Sequence, residues 1–197
     1  MNDHHSDSKK QIWLLRHAAT EWSKNGRHTG RSDIPLLPEG EAVAIAMRPT
    51  VKAHSFSLCL SSPLQRSLRT AELVGLGSEI EIDENLREWD YGDYEGITTQ
   101  EIRHTVPGWT VWSAPCPNGE TGEDVASRAQ HVIDRALASD GDVALFSHGH
   151  FLRVLAATWL GLAPSDGRFF ELDTGTLCIL SFEHEYRVLK TWNAAIT

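Results

Sequence analysis

The chain has 197 residues, 41% of them hydrophobic and 23% charged. That is the size and composition of one globular domain, and it excludes disorder as the main state. Lys and Arg number 18 against 27 Asp and Glu, a formal net charge of −9. The balance argues against a nucleic-acid binder, which needs a basic surface, but not against a small anionic substrate held by a few local arginines.

Residues 1–11 are polar and read as a frayed tail, and the His4-His5 pair within it is at most a weak metal ligand. The first apolar run, 12–15, is too short for a signal peptide or a membrane span, so a cytoplasmic protein without a membrane partner is expected. The three cysteines, Cys59, Cys116 and Cys178, are widely spaced and form no CxxC, which fits a reducing compartment.

From residue 12 onward, short apolar runs alternate with helical patterns. Strands are predicted over Ile12–Arg16, 57–61, Ile80–Ile82, 142–147 and 176–181. The runs IWLL, LCL and VALF are apolar at adjacent positions, as in strands buried on both faces. The first helix is predicted over 38–48, with Pro38 near its start and Pro49 as its stop. The next runs over 63–74, after Ser61-Ser62 as capping residues. A third, over 121–138, opens with Thr121-x-x-Asp124, a capping box, and carries Val125, Ala129, Val132, Ile133 and Ala136 at amphipathic spacing. The last, over 149–160, is apolar on most sides. The Trp-, Tyr-, Gly- and Pro-rich stretch 87–118 reads as a cap insertion with a short helix near 99–104. The whole is a single domain over 12–197: a three-layer α/β/α sandwich with a mixed, mostly parallel sheet and a small cap.

Three basic segments occupy equivalent places in this pattern. Arg16-His17 follows the first strand, Arg66 opens the helix after LCLSS, and His148 follows VALFS. In an open parallel sheet, ligands bind beyond the carboxyl ends of the strands. If these strands are neighbours, two arginines and two histidines converge there. The helix N-termini beside Ser62 and Gly149 would add N–H donors and positive dipole ends. Such a pocket suits a phosphoryl dianion, and an imidazole can attack its phosphorus. A zinc site at His17, His148 and His150 is disfavoured, because the arginines repel a cation and no HExxH is present.

Four segments in order carry a resemblance to a known family. Leu15-Arg16-His17-Ala18-Ala19-Thr20-Glu21-Trp22, with Thr29-Gly30-Arg31-Ser32-Asp33-Ile34-Pro35-Leu36, resembles the opening motif of the histidine phosphatase (phosphoglycerate mutase-like) superfamily. Ser61-Ser62-Pro63-Leu64-Gln65-Arg66-Ser67-Leu68-Arg69-Thr70-Ala71 is similar to its second motif. Leu86-Arg87-Glu88-Trp89-Asp90-Tyr91-Gly92-Asp93-Tyr94-Glu95-Gly96 resembles its acid motif, and Ser147-His148-Gly149-His150 its closing one. The sedoheptulose-bisphosphatase and small acid-phosphatase branches are the most similar. The resemblance implies that His17 is a nucleophile forming phosphohistidine. It implies that Arg16, Arg66 and His148 bind the phosphoryl oxygens, and that Glu88 is the acid that protonates the leaving group and then activates water. It also implies a small phosphorylated metabolite as partner, sugar phosphates foremost, with no cofactor and no metal.

Thr20, Ser23, His28, Thr29, Gly30, Tyr91, Gly149, His150 and Arg153 are the candidate substrate-binding residues. Trp22, Trp89, Trp109 and Trp112 either wall the pocket or pack the insertion, and packing is favoured for at least half. Ala18 replaces the usual glycine of the motif, a neutral change unless that backbone needs positive φ. Trp89 and Thr99 stand where mutases of the family carry an arginine and a lysine, so hydrolysis is favoured over a 2,3-bisphosphoglycerate-dependent mutase reaction. A phospho-ligand binding protein with little turnover is the alternative of another class. The assembly is open, a homodimer included.

Overall fold

The structure is a computed structural model and describes residues 9–196; the His4-His5 pair lies outside them. Six strands, β1 (Ile12–Arg16), β2 (Leu58–Ser61), β3 (Ile80–Ile82), β4 (Val143–Ser147), β5 (Thr176–Glu183) and β6 (Tyr186–Ala195), form one sheet in the order β3-β2-β4-β1-β5-β6. The first four strands in that order run parallel, β5 runs antiparallel to β1, and β6 antiparallel to β5. The helices are α1 (Glu21–Asn25), α2 (Pro38–Lys52), α3 (Gln65–Leu73), α4 (Thr99–Thr105), α5 (Gly122–Ala138) and α6 (Gly149–Trp159).

Side chains alternate across a strand, so each central strand feeds both faces of the sheet. Trp13, Leu15, Cys59, Ala144, Phe146, Leu177 and Ile179 pack against Met47 and Val51 of α2 and Ala71 of α3. Ile12, Leu14, Leu60, Val143, Leu145, Cys178 and Leu180 pack on the other face with the apolar stripes of α5 and α6. The result is the three-layer α/β/α sandwich. Trp89, Tyr91, Ile102, Trp109, Val111 and Cys116, from the stretch 87–118, join the α5–α6 cluster, so this stretch is built onto one face of the sheet. Thr121 caps α5 through the full reciprocal box with Asp124.

Several boundaries differ from the sequence reading. Helix α2 runs through Pro49 to Lys52. The proline only deprives the carbonyl four residues back, and Ile45 is exposed, so water can take its place. Helix α3 starts at Gln65 rather than at Pro63; its N-cap residue, Leu64, offers no side-chain acceptor, and the Gln65 N–H donates instead to Asp33 Oδ1 at 2.8 Å. Strand β6 was not legible in YRVLKTWNAA. It is an outer, half-exposed strand with a register irregularity and Asn193 at φ +53°, which blurs the period of two. Lys10 and Gln11, placed in the frayed tail, are tied down. Lys10 donates to the Leu137 and Ser139 carbonyls, and the Gln11 N–H donates to Asp142 Oδ1 at 2.7 Å. No described helix is long and apolar enough to cross a membrane. The three cysteines are buried and unpaired.

Candidate active site

The parallel order β2-β4-β1 settles what the sequence left as an assumption. Arg16 lies opposite Ser147 and Ser61 opposite Phe146, so the residues that follow all three strands emerge side by side. The His17 N–H donates to the Ser147 carbonyl at 3.0 Å, and the Ser62 N–H to the Phe146 carbonyl at 3.0 Å. Ladder bonds thus continue past each strand end and fix the loops that carry the polar side chains. Ala18 is not among the residues with positive φ, so alanine is tolerated there, and its N–H donates to Thr70 Oγ1.

His17 is buried, and its ring lies 5.2 Å from that of His148. Its Nδ1 is 2.8 Å from the Ala18 carbonyl. A carbonyl only accepts, so Nδ1 carries the proton and Nε2 keeps its lone pair. Burial, reinforced by Arg66 and Arg16, holds the imidazole well below its usual pKa, so the ring is neutral.

Arg16 donates to the Leu172 carbonyl, while its Nε is buried with no partner among the described residues. An orphaned guanidinium N–H in a buried site costs free energy unless an acceptor arrives, and an anionic oxygen is the fitting acceptor. Gly149 makes room for it: a Cβ there would lie 3.0 Å from Arg16 Cζ. Arg66 is fully buried. It donates from Nε to His148 Nδ1 at 3.1 Å, from Nη1 to Ser32 O, and from Nη2 to Thr29 O and Gly30 O. These are four bonds on a group with five N–H donors, so one donor on Nη1 is left. Because His148 Nδ1 accepts, its Nε2 must be the donor, and it meets Ser62 Oγ at 2.8 Å. Burial, Arg66 and His17 keep His148 neutral as well.

Glu88 sits at the N-terminus of α6. Its Oε1 accepts from the Trp89 N–H at 2.9 Å and the Phe151 N–H at 2.8 Å, and its Oε2 from the His150 N–H at 3.1 Å. Three backbone donors therefore aim this carboxyl, which the sequence alone could not separate from the surrounding acidic run.

These groups line or underlie one cleft of about 250 Å³. Arg16, His17, Thr20, Ser23, His28, Thr29, Glu88, Tyr91, Gly149, His150 and Arg153 all border it. Arg66 and His148 are fully buried and do not line the open wall. Gly30 does not reach the cleft; its N–H is turned to the Glu95 carboxylate at 3.0 Å. Ser23 borders the cleft, but its hydroxyl is spent on the α1 cap, accepting from Thr20 N and donating to Thr20 O. Burial lowers the pKa of His28 to about 4, against a weaker pull from Glu95, and burial with Arg153 depresses that of His150. Tyr91, whose pKa is raised by burial and Glu88, hydrogen-bonds His150 Nδ1 at 2.6 Å. Arg153 faces back to the cleft, over the Trp112 ring and bonded to the Gly167 carbonyl.

Of the four tryptophans, only Trp22 borders this cleft; Trp89, Trp109 and Trp112 pack. The sequence reading missed Arg27 and Leu172 as lining residues, and did not foresee that Thr99 lines the cleft and bonds His28. Arg27 lies between the two quoted segments of the opening motif, 15–22 and 29–36, whereas nothing marked Leu172, which arrives from a loop 155 residues after His17. Among the described residues, no group of three or more His, Cys, Asp or Glu is arranged to hold a metal ion.

Residues 12–195 match the Histidine phosphatase superfamily (branch 1). An acid phosphatase of Mycobacterium tuberculosis is 39% identical over 183 residues, covering 91% of this chain and 90% of its own length. A sedoheptulose 1,7-bisphosphatase of Saccharomyces cerevisiae is 35% identical over 181 residues, covering 76% of this chain and 67% of its own. The solved structure of a Mycobacterium tuberculosis open reading frame superposes with a TM-score of 0.90 at 36% identity, over 95% of this chain and 99% of that one. With a family match running the length of the sheet, and this cluster of arginines and histidines at its strand ends, the chain belongs to the histidine phosphatase superfamily and is a phosphatase.

Proposed function

We propose that the protein hydrolyses phosphomonoesters of small metabolites, sugar phosphates foremost, without a metal, through a phosphohistidine on His17. The observation that carries this reading is the neutral, buried His17 with Nδ1–H on the Ala18 carbonyl and Nε2 bare. In the first step the Nε2 lone pair attacks phosphorus and the P–O bond to the alcohol breaks. The proton of Glu88 goes to the leaving oxygen. Glu88 Oε2 accepts a single backbone N–H and so has room for that proton. The ring gains positive charge as the N–P bond forms, and the Ala18 carbonyl on Nδ1–H supports it. Arg16 Nε, the remaining Arg66 donor and the His148 Nε2–H, released from Ser62, stabilise the equatorial oxygens. In the second step water attacks phosphorus, gives a proton to Glu88, and the N–P bond breaks to yield inorganic phosphate.

Sugar phosphates are favoured because the walls beyond the phosphoryl end combine neutral polar groups, Thr20, His28, Tyr91, Thr99 and His150, with the Trp22 ring and the guanidinium groups of Arg27 and Arg153. Such groups suit hydroxyls stacked on an aromatic face. The rival mutase reading has less support. Trp89 is buried, donates from Nε1 to the Glu120 carbonyl and brings no cation to the cleft. With 3-phosphoglycerate and 2,3-bisphosphoglycerate, interconversion should be slow beside hydrolysis of good phosphomonoesters; efficient bisphosphate-dependent turnover would favour the mutase. The deciding experiment is a quenched reaction with labelled substrate. Acid-labile phosphate should be found on His17, and His17→Ala should be folded and inactive. Label on a serine or on His148, with His17→Ala still active, refutes the assignment. A binding protein would release no phosphate from an aryl phosphate, and a metal enzyme would lose that release to a chelator.

A further inference from the structure

We propose that Glu95 is a positioning residue for the phosphoryl-binding groups, acting through the 29–32 loop on Arg66 and through Arg66 on His148. The inference rests on the reading of Arg66 and His148 as phosphoryl ligands.

A fully buried guanidinium must have its donors satisfied and held in place, and no carboxylate touches Arg66 among the described residues. Backbone carbonyls do the work instead: Thr29 and Gly30 at 3.1 Å and Ser32 at 2.8 Å. Three carbonyls from one short loop converge on a single side chain only if the loop is gripped from behind. Glu95 supplies that grip. Its Oε1 accepts from the Gly30 and Ser32 N–H groups at 3.0 Å each, and its Oε2 also accepts from Gly30 at 3.0 Å.

The link is direct at one peptide unit. In a trans peptide the C=O and N–H point in opposite directions. The unit joining Thr29 to Gly30 places its carbonyl on Arg66 and its N–H on Glu95. Its dipole therefore runs from anion to cation, and each end strengthens the other. Glycine at position 30 permits the approach, because a Cβ there would lie 2.6 Å from the Trp89 carbonyl and 2.8 Å from Glu95 Oε2. Glu95 is itself fixed in register with the loop: its N–H donates to the Gly92 carbonyl, and the next N–H, of Gly96, to the His28 carbonyl at 2.9 Å. Downstream, Arg66 Nε on His148 Nδ1 makes His148 Nε2 the donor. A displaced loop would loosen both ligands together.

The test is a double-mutant cycle on nitrophenyl phosphate hydrolysis, with orthovanadate and inorganic phosphate as competing ions. Glu95→Ala should weaken phosphate inhibition and lower kcat/KM, each by about tenfold, the size of one lost charge-assisted bond. Glu95→Gln should recover most of this, since a single oxygen already accepts from both Gly30 and Ser32. In an Arg66→Ala background, Glu95→Ala should cost less than about twofold more, because its route to the phosphate is gone. Circular dichroism and thermal melting establish that each variant is folded; if Glu95→Ala is not, the cycle is run with Glu95→Asp, which keeps the charge but shortens the reach to the Gly30 and Ser32 N–H groups. Wild-type inhibition constants in a folded Glu95→Ala, or the same fold loss with and without Arg66, would overturn the positioning role while leaving the ligand reading intact. Unchanged ion affinity in Arg66→Ala would overturn both.

Discussion

Glu88→Gln separates the two jobs of this side chain. Oε1 accepts from Trp89 and Phe151, and Oε2 from His150. A glutamine whose oxygen takes the Oε1 place keeps two of these bonds and sets its NH₂ against the His150 N–H. That mismatch costs about 1–3 kcal/mol, which leaves a folded protein with a carboxamide in nearly the same place. What is lost outright is the transferable proton. General acid catalysis contributes about 10²–10⁴-fold, or roughly 3–5 kcal/mol of barrier. An alkoxide leaving group requires that proton, while a nitrophenolate hardly does. Rapid-quench measurement of the phosphorylation step should therefore show a loss of about 10²–10⁴-fold on a sugar phosphate and a far smaller one on nitrophenyl phosphate. The steady state must not be used for this comparison, since in the proposed mechanism Glu88 also serves the hydrolysis of phospho-His17. Equal losses of the phosphorylation step for both leaving groups would refute the assignment and turn attention to Glu84, Asp90 or Asp93.

Three further outcomes follow from the same geometry. Gly149→Ala puts a Cβ 3.0 Å from Arg16 Cζ, a crowding that should destabilise by about 1–3 kcal/mol and lower kcat/KM by on the order of 10–10²-fold; melting and kinetics at wild-type values would show that Arg16 is free to move. His17, His28, His148 and His150 are all neutral in the fold because burial lowers their pKa values, that of His28 to about 4. The unfolded chain binds the missing protons below its own value of about 6.5, so stability should be lost as pH falls below about 6.5 and, for His28, on toward about 4. A melting temperature that stays flat between pH 7 and 5 contradicts this. Ser62→Ala removes the oxygen that His148 Nε2–H meets at 2.8 Å. It should tighten vanadate binding or leave it equal, and a tenfold weaker inhibition constant would mean that Ser62 itself holds the ion.

The strands buried on both faces and the amphipathic helix α5 were legible in the sequence, because period and capping are local properties that the chain carries along its length. So were His17, Arg16, Arg66 and His148 as candidates, since each stands where a strand ends or a helix begins. Glu88 was legible only through the motif around it; within its acidic run no local feature sets it apart. The tertiary structure alone decided that β2, β4 and β1 are neighbours, and with that the convergence of the four cationic and imidazole groups. It turned Gly30 away from the cleft and spent Ser23 on a helix cap, because the Gly30 and Thr20 backbone N–H groups must find acceptors, and these are the Glu95 carboxylate and the Ser23 hydroxyl of α1. It also brought Leu172 and Arg27 to the cleft and hid strand β6 from the pattern. Pairing and burial depend on segments far apart in the chain, and the spacing of residues along one segment carries no record of which distant segment will cover it.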